Sequence, residues 1–137
     1  MTYLGGCLCG RIHFKAEGPP IDVHYCHCSM CRRATGSAFA VLAWFDTGDV
    51  IWTRGRPRIL RSSSVAERGF CADCGTPLLL RHDNQNRLAL MVGAFDRAAD
   101  LVPSRHEGVE ARLPWTASGA RLPEHFTEEF LADHAAA

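Results

Sequence analysis

Short apolar runs, set apart by glycine, proline and aspartate, recur along this 137-residue chain. Those at 11–16, 23–26, 38–44, 50–53, 59–62, 76–80 and 88–92 have the composition and turn-forming borders of β-strands. Strands in such close succession predict antiparallel sheets rather than βαβ units. Helix is scarce. Ser29–Thr35 reads as one short helix, with Gly36 at the position that commonly follows a helix C-terminus. A second is expected at 124–134, opened by Pro123 and carrying Glu124, Glu128 and Glu129 where the helix dipole favours anions. No repeat, low-complexity tract or linker divides the chain, so residues 1–137 read as a single, mainly β domain with short helical segments.

Fifteen basic and fifteen acidic residues cancel, and Lys15 is the one lysine. The chain opens without a basic stretch followed by an apolar run. No segment reaches the roughly 18 apolar residues of a membrane helix. A cytoplasmic protein is therefore expected, in a compartment where thiols stay reduced. Arg54, Arg56, Arg58, Arg61 and Arg68 crowd one stretch, but without the interleaved aromatics of a single-strand binder they read as a solvated strand face. Neither nucleic acid nor membrane is an expected partner. Phosphate-cradling glycine motifs are absent, and Phe39, Trp44, Phe45, Trp52, Phe70 and Phe95 read as core.

The cysteines change the picture. Cys7 and Cys9 lie in GGCLCG, Cys26, Cys28 and Cys31 in YCHCSMC, and Cys71 and Cys74 in FCADCG, which accounts for all seven. Cysteines one residue apart rarely reach the spacing and torsion of a disulfide, and an odd number leaves one over. Tetrahedral zinc, with Zn–S bonds of about 2.3 Å, suits CxC and CxxC turns well. If all seven thiolates bound two zinc ions, seven negative charges against four positive ones would make the holo-protein mildly acidic.

Glycine sorts the ligands. Gly10 and Gly75 directly follow the second cysteine of the first and last motifs, where a metal knuckle calls for positive φ. Cys7, Cys9, Cys71 and Cys74 then form a closed structural zinc site joining residue 7 to residue 74. Cys26, Cys28 and Cys31 supply three ligands and leave a fourth position for water or substrate, the plan of a catalytic zinc site. The alternative is that His24 or His27 closes this site too, making both zincs structural. His27, between two ligands, is expected to turn away from the metal toward an adjoining pocket. The CxC spacing does not fit ferredoxin-type iron–sulfur clusters.

GGCLCGRIHF, YCHCSMCRRATGSAF and FCADCGTPL together resemble the glutathione-dependent formaldehyde-activating enzyme family, whose relatives include the centromere protein V group. The resemblance runs from about residue 3 to 95 and covers the motifs in the family's order. It implies an Mss4-like, or β-tent, zinc-binding fold and the same partition of the cysteines. It also implies a zinc-dependent carbon–sulfur lyase that joins glutathione, or a similar small thiol, with formaldehyde or a related small aldehyde. In the segment 96–137, Pro103, His106, Trp115, Leu122 and Pro123 are retained, but Glu107 and Gly108 replace the family's usual apolar pair. On a short helix Arg32 and Arg33 lie about 100° apart, so at most one faces the cleft. There a guanidinium can hold a substrate carboxylate, or it can merely balance thiolate charge from solvent. Ser37 is either a donor to substrate or the end of a turn. Two rival readings remain: a non-catalytic zinc module that binds a protein partner or carries a thiol adduct, and a redox sensor that releases zinc on oxidation.

Overall fold

The computed structural model describes residues 1–128, with the backbone alone for 118–120. The helix expected at 124–134 falls mostly on residues outside that range. Among the described residues there are ten strands, β1 (Thr2–Gly6), β2 (His13–Glu17), β3 (Asp22–Cys26), β4 (Ala40–Asp46), β5 (Val50–Arg54), β6 (Arg58–Arg61), β7 (Ala66–Phe70), β8 (Pro77–His82), β9 (Arg87–Met91) and β10 (His106–Glu107). An α-helix, α1, spans Ser29–Thr35, and short 3-10 turns fill several connections. All seven strands expected from the apolar runs are present, and β1, β7 and β10 join them. The fold is the mainly β architecture that the sequence implies.

Strands β1, β2 and β5 form a three-stranded sheet in the order β1-β2-β5. The rest form a seven-stranded sheet in the order β10-β3-β4-β9-β8-β7-β6. Every pairing is antiparallel except that of β10, which runs parallel to β3 with His106 opposite Tyr25 and Glu107 opposite Cys26.

The large sheet buries both faces in its middle, which is why β4, β8 and β9 read as nearly unbroken apolar runs. Along β4, Ala43 and Phe45 join Leu78, Leu88 and Leu90 in a core that also takes in Phe14, Ala16 and Phe95. The alternate residues Ala40, Leu42 and Trp44 turn to the other face and pack with Leu80, Ala89, Met91 and Cys31. Period-two alternation thus assigns one face to the interior of the domain and the other to α1 and the middle cysteines. Phe14 ties the sheets together, edge-on to Phe95 at 5.0 Å and to Trp52 at 5.7 Å between centroids. Burying such a side chain is worth about 1.5–3 kcal/mol. The β1–β2 and β7–β8 connections are the two cysteine knuckles.

Candidate metal centres and substrate cleft

Each knuckle is built the same way. In the first, the Cys7 N–H donates to Ile12 O (3.0 Å) and the Gly10 N–H to Cys7 O (3.2 Å). In the second, the Cys71 N–H donates to Thr76 O (3.0 Å) and the Gly75 N–H to Cys71 O (2.8 Å). Gly10 and Gly75 have φ of 79° and 81°, the left-handed backbone that glycine tolerates. The knuckles touch: the Leu8 N–H donates to Thr76 Oγ1 at 3.0 Å, and Arg11 pairs with Asp73 at 3.3 Å.

This brings the sulfurs of Cys7, Cys9, Cys71 and Cys74 within 4.8 Å of one another. Sγ of Cys9 is 3.6 Å from that of Cys7 and 3.8 Å from that of Cys71. Zn–S bonds of about 2.3 Å at tetrahedral angles separate sulfurs by about 3.8 Å, so this donor set fits zinc. Amide and hydroxyl donors favour thiolate here. The Thr76 hydroxyl and nearby N–H groups bring Cys74 down to about 5. Burial opposes ionisation of Cys7, yet the Ile12 N–H (3.3 Å from Sγ) and the thiols of Cys9 and Cys71 lower it. For Cys9 the Arg11 N–H works toward the thiolate, but burial and the other thiols push it up to about 11.

The middle group sits where β3 runs into α1. Cys26 ends the strand, Cys28 caps the helix by accepting the Cys31 N–H at 3.3 Å, and buried Cys31 lies in the first turn. All three sulfurs lie within 4.8 Å of one another, with Cys26 and Cys28 at 3.5 Å. Among the described residues no fourth cysteine, histidine or carboxylate joins them at that range. The Cys26 thiol brings Cys31 down to about 5, burial opposing and Arg68 assisting, while the same Cys26–Cys31 contact and burial push Cys26 up. Arg68, on β7, donates from Nη2 to Cys31 Sγ at 3.5 Å. The expectation that Arg68 belongs to a solvated strand face is therefore corrected, because its guanidinium reaches across to the thiols. A cavity of about 210 Å³ opens onto the group, lined by Leu42, Trp44, Leu80, Val65, His24 and His82 among others. His82 stacks on Trp44 at 5.8 Å.

The remaining candidates scatter. His27 points to the opposite side of the strand from Cys26, is 1% exposed, and meets His106 Nδ1 through Nε2 at 2.9 Å. Tyr25 stacks on His106 at 4.6 Å, and His27 Nδ1 is buried without a partner. Arg32 is half-buried with Nε unpartnered, whereas Arg33, also on α1, is exposed and lines a neighbouring groove. Ser37 lines a separate cavity of about 360 Å³ with Phe39 and Thr76.

Asp22 was not singled out from the sequence, and Glu107 and Gly108 stood out there only as a departure from the family's usual apolar pair. Asp22, His24 and Cys26 alternate along one face of β3; Asp22 Oδ2 holds His24 Nδ1 at 2.9 Å, and Asp22 Oδ1 accepts from Arg105 Nη1. Alternation in DVHYC was the available signal. Glu107 O accepts the His27 N–H at 2.9 Å, which places the divergent segment against the middle group. Gly108 then lies so close that an added Cβ would stand 2.8 Å from the Cys28 nitrogen.

Fold and clusters together define a small β-protein with two thiol groups in metal-ligand geometry, one four-sided and one three-sided. The chain belongs to the glutathione-dependent formaldehyde-activating enzyme family, which matches residues 2–110. It is 37% identical over 82 residues to an uncharacterised lyase of Schizosaccharomyces pombe, covering 60% of this chain and 59% of that one. It is 28% identical over 86 residues to a protein of Halomonas elongata named as a glutathione-dependent formaldehyde-activating enzyme, covering 57% of this chain and 55% of the other. The matches thus span less than two thirds of those curated relatives. A crystal structure of a Rhodobacter sphaeroides protein superposes with a TM-score of 0.61 at 25% identity, covering 75% of this chain and 98% of that one. Among the described residues no helix is long and apolar enough to cross a membrane.

Proposed function

We propose that this protein is a zinc-dependent carbon–sulfur lyase acting on a small thiol such as glutathione and on formaldehyde or a related small aldehyde. The observation that carries the reading is the three-sided group of Cys26, Cys28 and Cys31, facing a cavity in a chain of this family. Cys7, Cys9, Cys71 and Cys74 would hold a structural zinc, and the three-sided group a second ion with one exchangeable position. When bound, that second ion would supply Lewis acidity to a reactant thiol or carbonyl oxygen.

The reaction forms one C–S bond. The thiol sulfur adds to the aldehyde carbon, the C=O π pair moves to oxygen, and the thiol proton ends on that oxygen, giving a hydroxymethyl thioether. The reverse path balances in the same way. The protein's residues contribute placement and an apolar wall. Leu42, Trp44 and Leu80 line the space beside the thiols, and Arg68 holds Cys31. His24, fixed by Asp22, lines the same cavity. Holding two reactants together removes much of the entropic cost of their encounter. Exchange NMR on mixtures of glutathione and formaldehyde tests the reading. Adduct formation should exceed the spontaneous rate with the wild-type protein and return to background with Cys28→Ser. No acceleration with any small thiol would refute it.

A further inference from the structure

Between α1 and strands β6–β8 runs an open groove of about 550 Å³, walled by Met30, Leu79 and Met91 and crossed by three arginines, Arg33, Arg61 and Arg68. Arg61 is already engaged by Asp83, at 2.9 and 3.0 Å, and by Glu67 at 3.4 Å. The other two have donors to spare. Arg33 is exposed and, among the described residues, has neither ion pair nor side-chain hydrogen bond. Arg68 borders both this groove and the thiol cavity, as do Met30 and Ser62, so the two spaces adjoin. Its Nη2 is on Cys31, but its Nη1 is buried with no acceptor. A buried N–H left unpaired is costly, and the guanidinium fork matches a carboxylate. Among the described residues no aspartate or glutamate lines either space.

We infer that the groove seats the body of the thiol substrate and selects an anionic thiol. A carboxylate lies between Arg33 and Arg68, an apolar body rests on Met30, Leu79 and Met91, and the sulfur turns toward Cys26, Cys28 and Cys31. This rests on the reading of the three-sided group as the reacting site. An ammonium group finds no counter-charge in the groove, so a zwitterionic thiol such as glutathione has only its carboxylates matched.

Calorimetric titration of the zinc-loaded protein with 3-mercaptopropionate, 2-benzyl-3-mercaptopropionate, 2-mercaptoethanol and cysteamine tests this. The carboxylates should bind at least about tenfold more tightly than cysteamine, the scale of one charged hydrogen bond. The benzyl compound should bind tightest of the four. Arg33→Glu, at an exposed position, should reverse the order of 3-mercaptopropionate and cysteamine. Equal affinities for those two, or an order unchanged by Arg33→Glu, would overturn the inference. The parent reading separates cleanly. The charge order persisting while no thiol gives adduct with formaldehyde supports the groove and refutes the lyase. Adduct formation at one rate from all four thiols supports the lyase and overturns the groove.

Discussion

Gly108→Ala is the sharpest test of how the C-terminal segment supports the three-sided group. Gly108 has φ of 66°, and a Cβ built there would meet the Cys28 nitrogen at 2.8 Å and its Cα and Cβ at 3.3 Å. Those are atoms of a helix cap, with Cys28 Sγ receiving the Cys31 N–H, so they cannot swing aside as a flexible side chain would. The left-handed conformation costs an alanine about 1–2 kcal/mol, and forced overpacking adds about 1–3 kcal/mol, so a loss of about 2–5 kcal/mol is expected. Gly36→Ala supplies the control. Its φ is 68°, but nothing stands within 4 Å of the added carbon, so it pays for backbone strain alone. Urea unfolding of both variants gives the difference. A competing chromophoric chelator then reads each zinc, with the ion proposed at Cys28 loosened and the four-thiol ion unchanged. If Gly108→Ala costs no more than Gly36→Ala and keeps both zincs at wild-type affinity, the contact argument fails.

Zinc counting should find two ions per wild-type chain. Cys28→Ser should lose one with its circular dichroism retained, whereas Cys71→Ser should lose the other together with the cooperative thermal transition. Phe14→Ala empties a site that is 1% exposed and should cost about 3–5 kcal/mol in urea unfolding. Asp22 is disfavoured as an anion by burial, but hydrogen bonds from Arg105 and His24 hold its carboxyl below the ordinary 3.8. A folded value below the unfolded one means stability present above the unfolded value and lost as pH falls through the folded one. Asp22→Asn should therefore flatten the loss of stability below about pH 4, by about 1 kcal/mol given the half-exposed Arg105, as read from urea midpoints across acid pH.

What was legible in the sequence was chemistry with short range. The cysteine spacing and the glycines after Cys9 and Cys74 anticipate the knuckle geometry, and α1 occupies Ser29–Thr35, the residues ahead of Gly36. The strands β4, β8 and β9 are readable because both their faces are apolar. Strand β7 is not, because AERGF looks like a surface loop until its partners are known. Glu67 there serves Arg61 and Arg81, and Arg68 reaches Cys31. Strand β1 hides behind Gly5 and Gly6, yet a Cβ on Gly5 would strike the Phe14 ring at 2.3 Å. The two-residue β10 carries no pattern at all, since its role comes from parallel pairing across some eighty positions. Polarity satisfied by distant partners is what local pattern cannot reveal.

The placement of β10 has a consequence for the order in which the molecule is made. The four-thiol knuckles have all their sulfurs once residue 74 has been synthesised, and they join two hairpin turns whose sulfurs lie 62 positions apart in sequence. Closing a loop of that length costs about 4 kcal/mol of chain entropy, which an ion gripping both turns can offset early. The wall behind Cys28 waits for residues 106–108. On a nascent chain emerging from its N-terminus, the lock would be fastened before the working pocket is finished, so premature loading of the three-sided group would meet an unfinished surface.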